Sequence, residues 1–312
     1  MTRTLNRLKG CMLGLTIGDA MGAPVEFMKR GTFEPITGYR SGGKFRLNAG
    51  EWTDDTAMAL CLAQSLIDSN GFDPIDQLNK YLEWIDTGYM SCTGKMVGLG
   101  KTCWRSLFNY RRKGQPYTDI KSEKFSGNGS LMRLAPICIY YANNLDLAVH
   151  YAALSSKTTH GSPIAVDCCR YFAYVILKLV HGVEKDTLFS DSFVSDVHKY
   201  FTDEPLHEAL NSIIQCEYIS KGVDEIQSSG YVIHSLEAAL WSFYHTNTFE
   251  EAILKSVNLG DDADTVGAIT GQLVGAYYGV DGIPDKLLRR LSHFDLIEAV
   301  SEGFFSHEDA FR

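Results

Sequence analysis

Apolar residues recur at helical spacing along almost the whole chain. Leu145, Val149, Ala152 and Leu154 share one face of a predicted helix, as do Leu236, Ala239, Leu240 and Phe243. Strand-like alternation is scarce. Thr248 followed by Glu251 has the spacing of a capping box, and Pro284 stands where a first helical turn would begin. Gly-rich or polar breaks fall at 31–48, 112–129 and 201–204. No low-complexity segment, charge block or linker divides the chain, so residues 1–312 are read as one all-α domain.

Two predicted helices carry glycine at every fourth position: Gly10, Gly14, Gly18 and Gly22 in one, Gly267, Gly271, Gly275 and Gly279 in the other. Each glycine costs a helix about 1 kcal/mol relative to alanine. Spacing of four puts them on one face, where a missing side chain lets another backbone come close. The expectation is tight packing of the two ends of the chain at the centre of the fold, against each other.

Composition narrows the partners. The formal net charge of -9 and a pI near 5.5 disfavour nucleic acid or an anionic membrane as the main partner, since both repel an acidic protein at long range. Eight cysteines form no C-x-x-C pair and fall mostly in apolar stretches, which suits reduced core thiols in a cytoplasmic protein. Arg3, Arg7 and Lys9 before the apolar 11–17 faintly resemble a secretory signal, but that stretch is short, glycine-interrupted and followed by Asp19. No window is long and apolar enough to span a bilayer. A monomer is the default expectation.

Each end of the chain also places an acidic motif at a predicted helix start. One is Trp52-Thr53-Asp54-Asp55-Thr56, the other Gly260-Asp261-Asp262-Ala263-Asp264-Thr265. Capping a helix needs one such side chain, and either motif alone would be read as a cap. Here several carboxylates crowd together, and they repel unless protonated or neutralised by a cation. If the two starts converge, Asp54, Asp55, Asp262 and Asp264 with Thr53 and Thr265 form an all-oxygen set that suits Mg²⁺ or Mn²⁺, with Ca²⁺ also compatible. Four carboxylates exceed the needs of one dication, so two are expected. Glu26, just beyond the first glycine ladder, is placed to reach that site and position a water or the substrate.

Ser126-Gly127-Asn128-Gly129-Ser130 precedes Leu131 and Met132, and glycines at a helix start leave backbone N–H groups free for an anion such as a pyrophosphate. The chain has no P-loop and no strand-linked dinucleotide fingerprint. His160 falls between predicted helices, and Tyr231 starts the helix predicted over 232–244, where an aromatic more often packs than stacks on a base.

Together these motifs resemble the ADP-ribosylglycohydrolase family, in particular its dinitrogenase reductase-activating glycohydrolase branch. The matching stretches are 14–26 (GLTIGDAMGAPVE), 50–62 (GEWTDDTAMALCL), 127–136 (GNGSLMRLAP), 159–163 (THGSP), 230–241 (GYVIHSLEAALW) and 258–279 (NLGDDADTVGAITGQLVGAYYG). They occur in family order and cover the chain nearly end to end. The resemblance implies an all-α fold around two divalent cations, with Thr53, Asp54, Asp55, Asp262, Asp264 and Thr265 as ligands and Glu26 beside them near the scissile bond. It further implies that Gly127, Asn128, Gly129, Ser130, Leu131 and Met132 hold the diphosphate of ADP-ribose, with His160 and Tyr231 further along the ligand. One position departs: where the branch commonly has C-F-D-I-G, this chain reads Met96-Val97-Gly98-Leu99-Gly100, so Gly98 replaces an Asp near the metals.

The implied reaction is metal-dependent hydrolysis of the N-glycosidic bond of ADP-ribosyl-arginine on a protein, with Glu26 and Asp54 or Asp55 orienting the water or passing its proton. The alternatives are hydrolysis from another acceptor (serine, nucleic acid or O-acetyl-ADP-ribose), a catalytically silent ADP-ribose-binding protein, and a two-metal phosphohydrolase that cuts the pyrophosphate.

Overall fold

A computed structural model describes residues 1–306. The described residues form α1 (Arg3–Gly22), α2 (Asp54–Asp68), α3 (Pro74–Thr87), α4 (Lys101–Lys113), α5 (Ala135–Tyr140), α6 (Leu145–Lys157), α7 (Pro163–Val180), α8 (Lys185–Leu188), α9 (Asp191–Tyr200), α10 (Asn211–Ile214), α11 (Val232–Tyr244), α12 (Phe249–Val257), α13 (Ala263–Tyr278), α14 (Asp285–Leu288) and α15 (Phe294–Ser306). Among them, β-pairing is confined to two isolated bridges, Gly42 with Leu47 and Gly127 with Tyr231. The chain is all-α, as its periodicity predicts, and no described helix is long and apolar enough to cross a membrane.

The two glycine ladders pack face to face and antiparallel. A Cβ built on Gly18 would lie 1.9 Å from the Gly267 carbonyl oxygen, one on Gly14 2.1 Å from that of Gly271, and one on Gly10 2.5 Å from that of Gly275. No side chain fits at those points. The helix propensity lost there is offset by backbone contact along the seam, including close approach of Cα–H groups to carbonyls. Gly279 lies beyond the second helix, ending it with a φ of +69°. Both helices are buried nearly all round, as expected of central helices, and α2, α7, α11 and α12 pack around them.

Antiparallel packing has a direct positional consequence: the C-terminal end of α1 and the N-terminal end of α13 meet at one end of the core. Glu26 follows the first, and Asp262 and Asp264 open the second. Backbone pairing locks the junction, with the Phe27 N–H donating to the Asp261 carbonyl (2.6 Å) and the Asp261 N–H to the Met28 carbonyl (2.8 Å).

Local caps follow the sequence with small differences. Thr248 accepts from the Glu251 N–H at 3.2 Å, while the Glu251 carboxylate reaches back to the Asn247 N–H, one residue before a standard capping box. Pro284 precedes a single helical turn, α14. All eight cysteines are free thiols, seven of them buried.

Candidate active site

Asp19 brings the third helix end to this junction. It sits inside α1, fully buried, and its carboxylate accepts from the Thr53 N–H (3.0 Å), the Thr53 hydroxyl (2.9 Å), the Thr56 N–H (3.0 Å) and the Thr56 hydroxyl (2.6 Å). Thr53, at the N-cap position of α2, makes no side-chain cap of its own. An aspartate from another helix therefore caps α2 and fixes Asp54 and Asp55 in its first turn. Asp19 was not among the predicted site residues, although a buried-type position filled by aspartate within a glycine ladder was the available signal.

The acidic residues of the two motifs do converge. Single carboxylate oxygens of Glu26, Asp262 and Asp264 lie within 4.8 Å of one another, and so do those of Asp19, Asp55 and Asp264. Asp264 belongs to both groups. Asp19 has both oxygens committed to capping, whereas Asp55 and Asp264 each accept a single hydrogen bond. The Asp55 Oδ1 and Glu26 Oε2 atoms are buried and have no hydrogen-bond partner among the described residues. Unpartnered oxygens on crowded, buried carboxylates fit a hard divalent cation, because a cation would satisfy both the lone pairs and the charge.

Without a cation this cluster raises its own pKa values. Burial foremost, then repulsion from Asp262 and Asp54, pushes Glu26 up to about 8. Burial and Asp19 push Asp54 to about 7. Asp19 rises to about 6 through burial, against the opposing pull of its four hydrogen bonds from Thr53 and Thr56. Asp55 and Asp264, also buried among like charges, rise well above the carboxylate range. The folded protein thus binds more protons than the unfolded chain between the ordinary carboxylate values of 3.8 and 4.5 and folded values reaching about 8. Stability falls with rising pH wherever the folded state holds the extra protons. The metal-free protein is accordingly expected to melt several degrees higher at pH 5 than at pH 8, and Mg²⁺ or Mn²⁺ at pH 8 to recover the difference. Thermal scans of EDTA-treated protein check this; a melting temperature that rises with pH would contradict it.

A cleft of about 530 Å³ opens over the cluster. Glu26, Asp54, Asp262, Asp264 and Thr265 line its floor side, and Gly127, Asn128, Gly129, Met132 and His160 also face it. Thr53 and Asp55 lie buried behind the lining residues, with the Thr53 hydroxyl 3.1 Å from Asp55 Oδ2. The Asn128 amide nitrogen donates to Asp262 Oδ2 at 2.6 Å and to the Ser235 hydroxyl at 2.8 Å, which couples the loop to the acidic cluster. Ser130 and Leu131 point into the core: the Ser130 hydroxyl meets Ser156 at 2.8 Å, and Leu131 is fully buried. Tyr231 pairs its backbone with Gly127 and sets its ring edge-on to His234, outside the cleft lining.

After the Gly127 bridge, residues 128–133 form a bend and turns, and the next helix begins only at Ala135. The loop is therefore no helix N-terminus, in contrast to the expectation from its glycines. The Asn128 N–H donates to the Gly230 carbonyl, while those of Leu131 and Met132 donate to the Asn128 carbonyl. The Gly129 and Ser130 N–H groups have no hydrogen-bond acceptor among the described residues, and of the two residues Gly129 lines the cleft.

Gly98 borders the cleft with a φ of +82°, and a Cβ there would lie 2.0 Å from Asp54 Oδ1. The Asp54 carboxylate occupies the space that a side chain at this position would enter. The Leu99 N–H, in a residue whose φ is +102°, donates to Asp54 and lowers its pKa against the larger effect of burial.

Known proteins share this architecture. ADP-ribosylarginine hydrolase Tri1 of Pseudomonas putida is 36% identical over 303 residues, covering 97% of this chain and 79% of that protein. ADP-ribosyl-[dinitrogen reductase] glycohydrolase of Rhodospirillum rubrum is 31% identical, covering 92% and 90%. A solved structure described as an ADP-ribosylglycohydrolase-related protein complex superposes with a TM-score of 0.83 at 37% identity, covering 98% of this chain and 99% of that one. The ADP-ribosylglycohydrolase family model matches residues 1–310, and the chain belongs to that family.

Proposed function

We propose that this protein hydrolyses the N-glycosidic bond between ADP-ribose and an arginine side chain of a modified protein, with two Mg²⁺ or Mn²⁺ ions held by its acidic cluster. The convergence of Glu26, Asp262 and Asp264 on a cleft, with Asp55 buried behind them, beside a loop of unpaired N–H groups carries this reading. The name of a relative at 36% identity supports arginine as the acceptor, and that of one at 31% supports glycohydrolase action on an ADP-ribosylated protein.

Asp54, Asp55, Asp262 and Asp264, with Thr53 and Thr265, would hold the cations, and Asp264 would serve both sites. Bound there, divalent cations lower the pKa of a coordinated water and stabilise developing charge. The Gly129 and Ser130 N–H groups offer donors to the diphosphate. Glu26, facing the cleft from the end of α1, orients the attacking water and takes its proton as the anomeric carbon becomes oxocarbenium-like. Asp54, held by the Leu99 N–H, supports the same water.

Glu26→Gln keeps the size of the side chain and removes the base. It is expected to lower turnover by roughly 10² to 10⁴-fold while changing ADP-ribose affinity little. Single-turnover kinetics with calorimetric titration of ADP-ribose separates the two effects; unchanged turnover would move the role to Asp54 or Asp55. Gly98 bears on a second reading, hydrolysis from an acceptor other than arginine, because the Asp54 carboxylate stands where a side chain at this position would enter. Comparing arginine-linked with serine-linked substrate decides between them.

A further inference from the structure

Arg133 is completely buried, and no acidic side chain among the described residues forms an ion pair with it. Its guanidinium stacks over the Tyr81 ring at 4.6 Å, and its NH1 nitrogen faces only sulfur, Met58 at 3.8 Å and Cys103 at 3.7 Å. Its one short hydrogen bond is from NH2 to the Thr159 hydroxyl at 2.7 Å; longer ones reach Thr158 at 3.4 Å and the Ser155 carbonyl at 3.5 Å. Nε is buried without a partner. A lone interior cation is costly unless something nearby makes use of it.

The Thr159 hydroxyl lies 2.9 Å from His160 Nδ1. Because a guanidinium can only donate, Thr159 must accept from Arg133, and its own proton is then free to be given on. Its candidate acceptors are His160 Nδ1 and the Cys103 thiol, a weak acceptor. The imidazole nitrogen is the better of the two, and an Nδ1 lone pair directed toward Arg133 is electrostatically favoured. On the opposite side of the ring, Nε2 borders the phosphate-loop candidate: a Cβ on Gly129 would lie 3.2 Å from Nε2 and 2.8 Å from Cε1. The missing side chain lets the ring press against the loop. Backbone bonds hold the residue in place, from its own N–H to the Ser156 carbonyl at 2.7 Å and from the Ser156 hydroxyl to its carbonyl at 3.0 Å.

We propose that Arg133 and Thr159 form a positioning relay that fixes His160 with Nδ1 as acceptor and Nε2–H as donor, giving the cleft a neutral N–H donor for the phosphate oxygens of a diphosphate ligand. Burial, then Arg133, also pushes the His160 pKa down to about 3, so the ring stays neutral across the physiological range. The ligand half of this inference rests on the ADP-ribose reading above, whereas the tautomer stands on the relay alone.

The test uses the full chain labelled with ¹⁵N-histidine, whose nitrogen shifts distinguish the two tautomers, together with titration of ADP-ribose and inorganic pyrophosphate. The wild-type protein should show His160 protonated at Nε2. Thr159→Val should mix the tautomers and weaken both ligands about tenfold, and Thr159→Ser should restore both readouts. Arg133→Met should do as Thr159→Val does, and if that variant fails to fold, the Thr159 pair still decides. Protonation at Nδ1 in the wild type, or unaltered binding by Thr159→Val, would overturn the relay. Failure of the wild type to bind either ligand would overturn the ADP-ribose reading and the donor's role with it, whatever the tautomer.

Discussion

Asp264→Asn is expected to abolish turnover and at the same time raise the melting temperature of the metal-free protein. Asp264 is the one carboxylate shared by both acidic groups, and it lies buried at the N-terminal end of α13. Removing its charge should weaken both cation sites together, for a loss of several kcal/mol of transition-state stabilisation, or roughly a thousandfold and more in rate. The same change removes a buried carboxylate whose own pKa is raised by burial and then by Glu26, Asp55 and Asp262. Without metal the variant should therefore be the more stable protein at pH 8, and the increase in melting temperature that Mg²⁺ gives the wild type should disappear. Thermal scans with Mg²⁺ and with EDTA read both effects. A variant less stable than the wild type in EDTA would show that Asp264 holds the fold rather than a metal.

Gly18→Ala should disrupt the fold itself. The new methyl would lie 1.9 Å from the Gly267 carbonyl oxygen and 2.8 Å from the Ala268 nitrogen, both backbone atoms that cannot turn aside. The helices α1 and α13 would have to part along their seam. Overpacking of a tight core costs typically 1–3 kcal/mol, and this site belongs at about 3 kcal/mol or above despite alanine's better helix propensity. The melting temperature should fall by roughly 5–10 °C. Activity should fall further than stability, because the same seam sets the distance between Glu26 and Asp264. Gly38→Ala, where a Cβ meets nothing within 4 Å, serves as the control and should change stability by less than about 0.5 kcal/mol.

The parts of this molecule legible in the sequence were those written as repeats. Glycine every fourth residue in two segments announced two helices without side chains on one face, and such faces have only each other to meet at that distance. Paired carboxylates at two helix starts exceeded what either cap could use, which pointed to a cation site if the two starts met. What could not be read depends on contacts between distant segments. Asp19 enters the sequence reading only as a charge that breaks an apolar stretch, and its role depends on the four donors that Thr53 and Thr56 bring to it. The segment after Gly129 carries an apolar run that suggests a helix, yet Pro136 and the pairing of Asn128 with Gly230 hold it in turns as far as Leu134. Ser130 and Leu131 belong to the loop by position but face inward, and nothing in the sequence marks Arg133 as the fully buried charged group that it is. At Gly98, sequence alone shows a missing side chain, whereas the structure shows Asp54 standing where that side chain would go.

One assay reads both the bond that is broken and its dependence on the acidic cluster. A protein mono-ADP-ribosylated on arginine, incubated with this enzyme and Mg²⁺ or Mn²⁺, should release intact ADP-ribose as seen by chromatography, and EDTA should stop the release. Release that persists in excess EDTA, or products of AMP and ribose phosphate, would contradict the account.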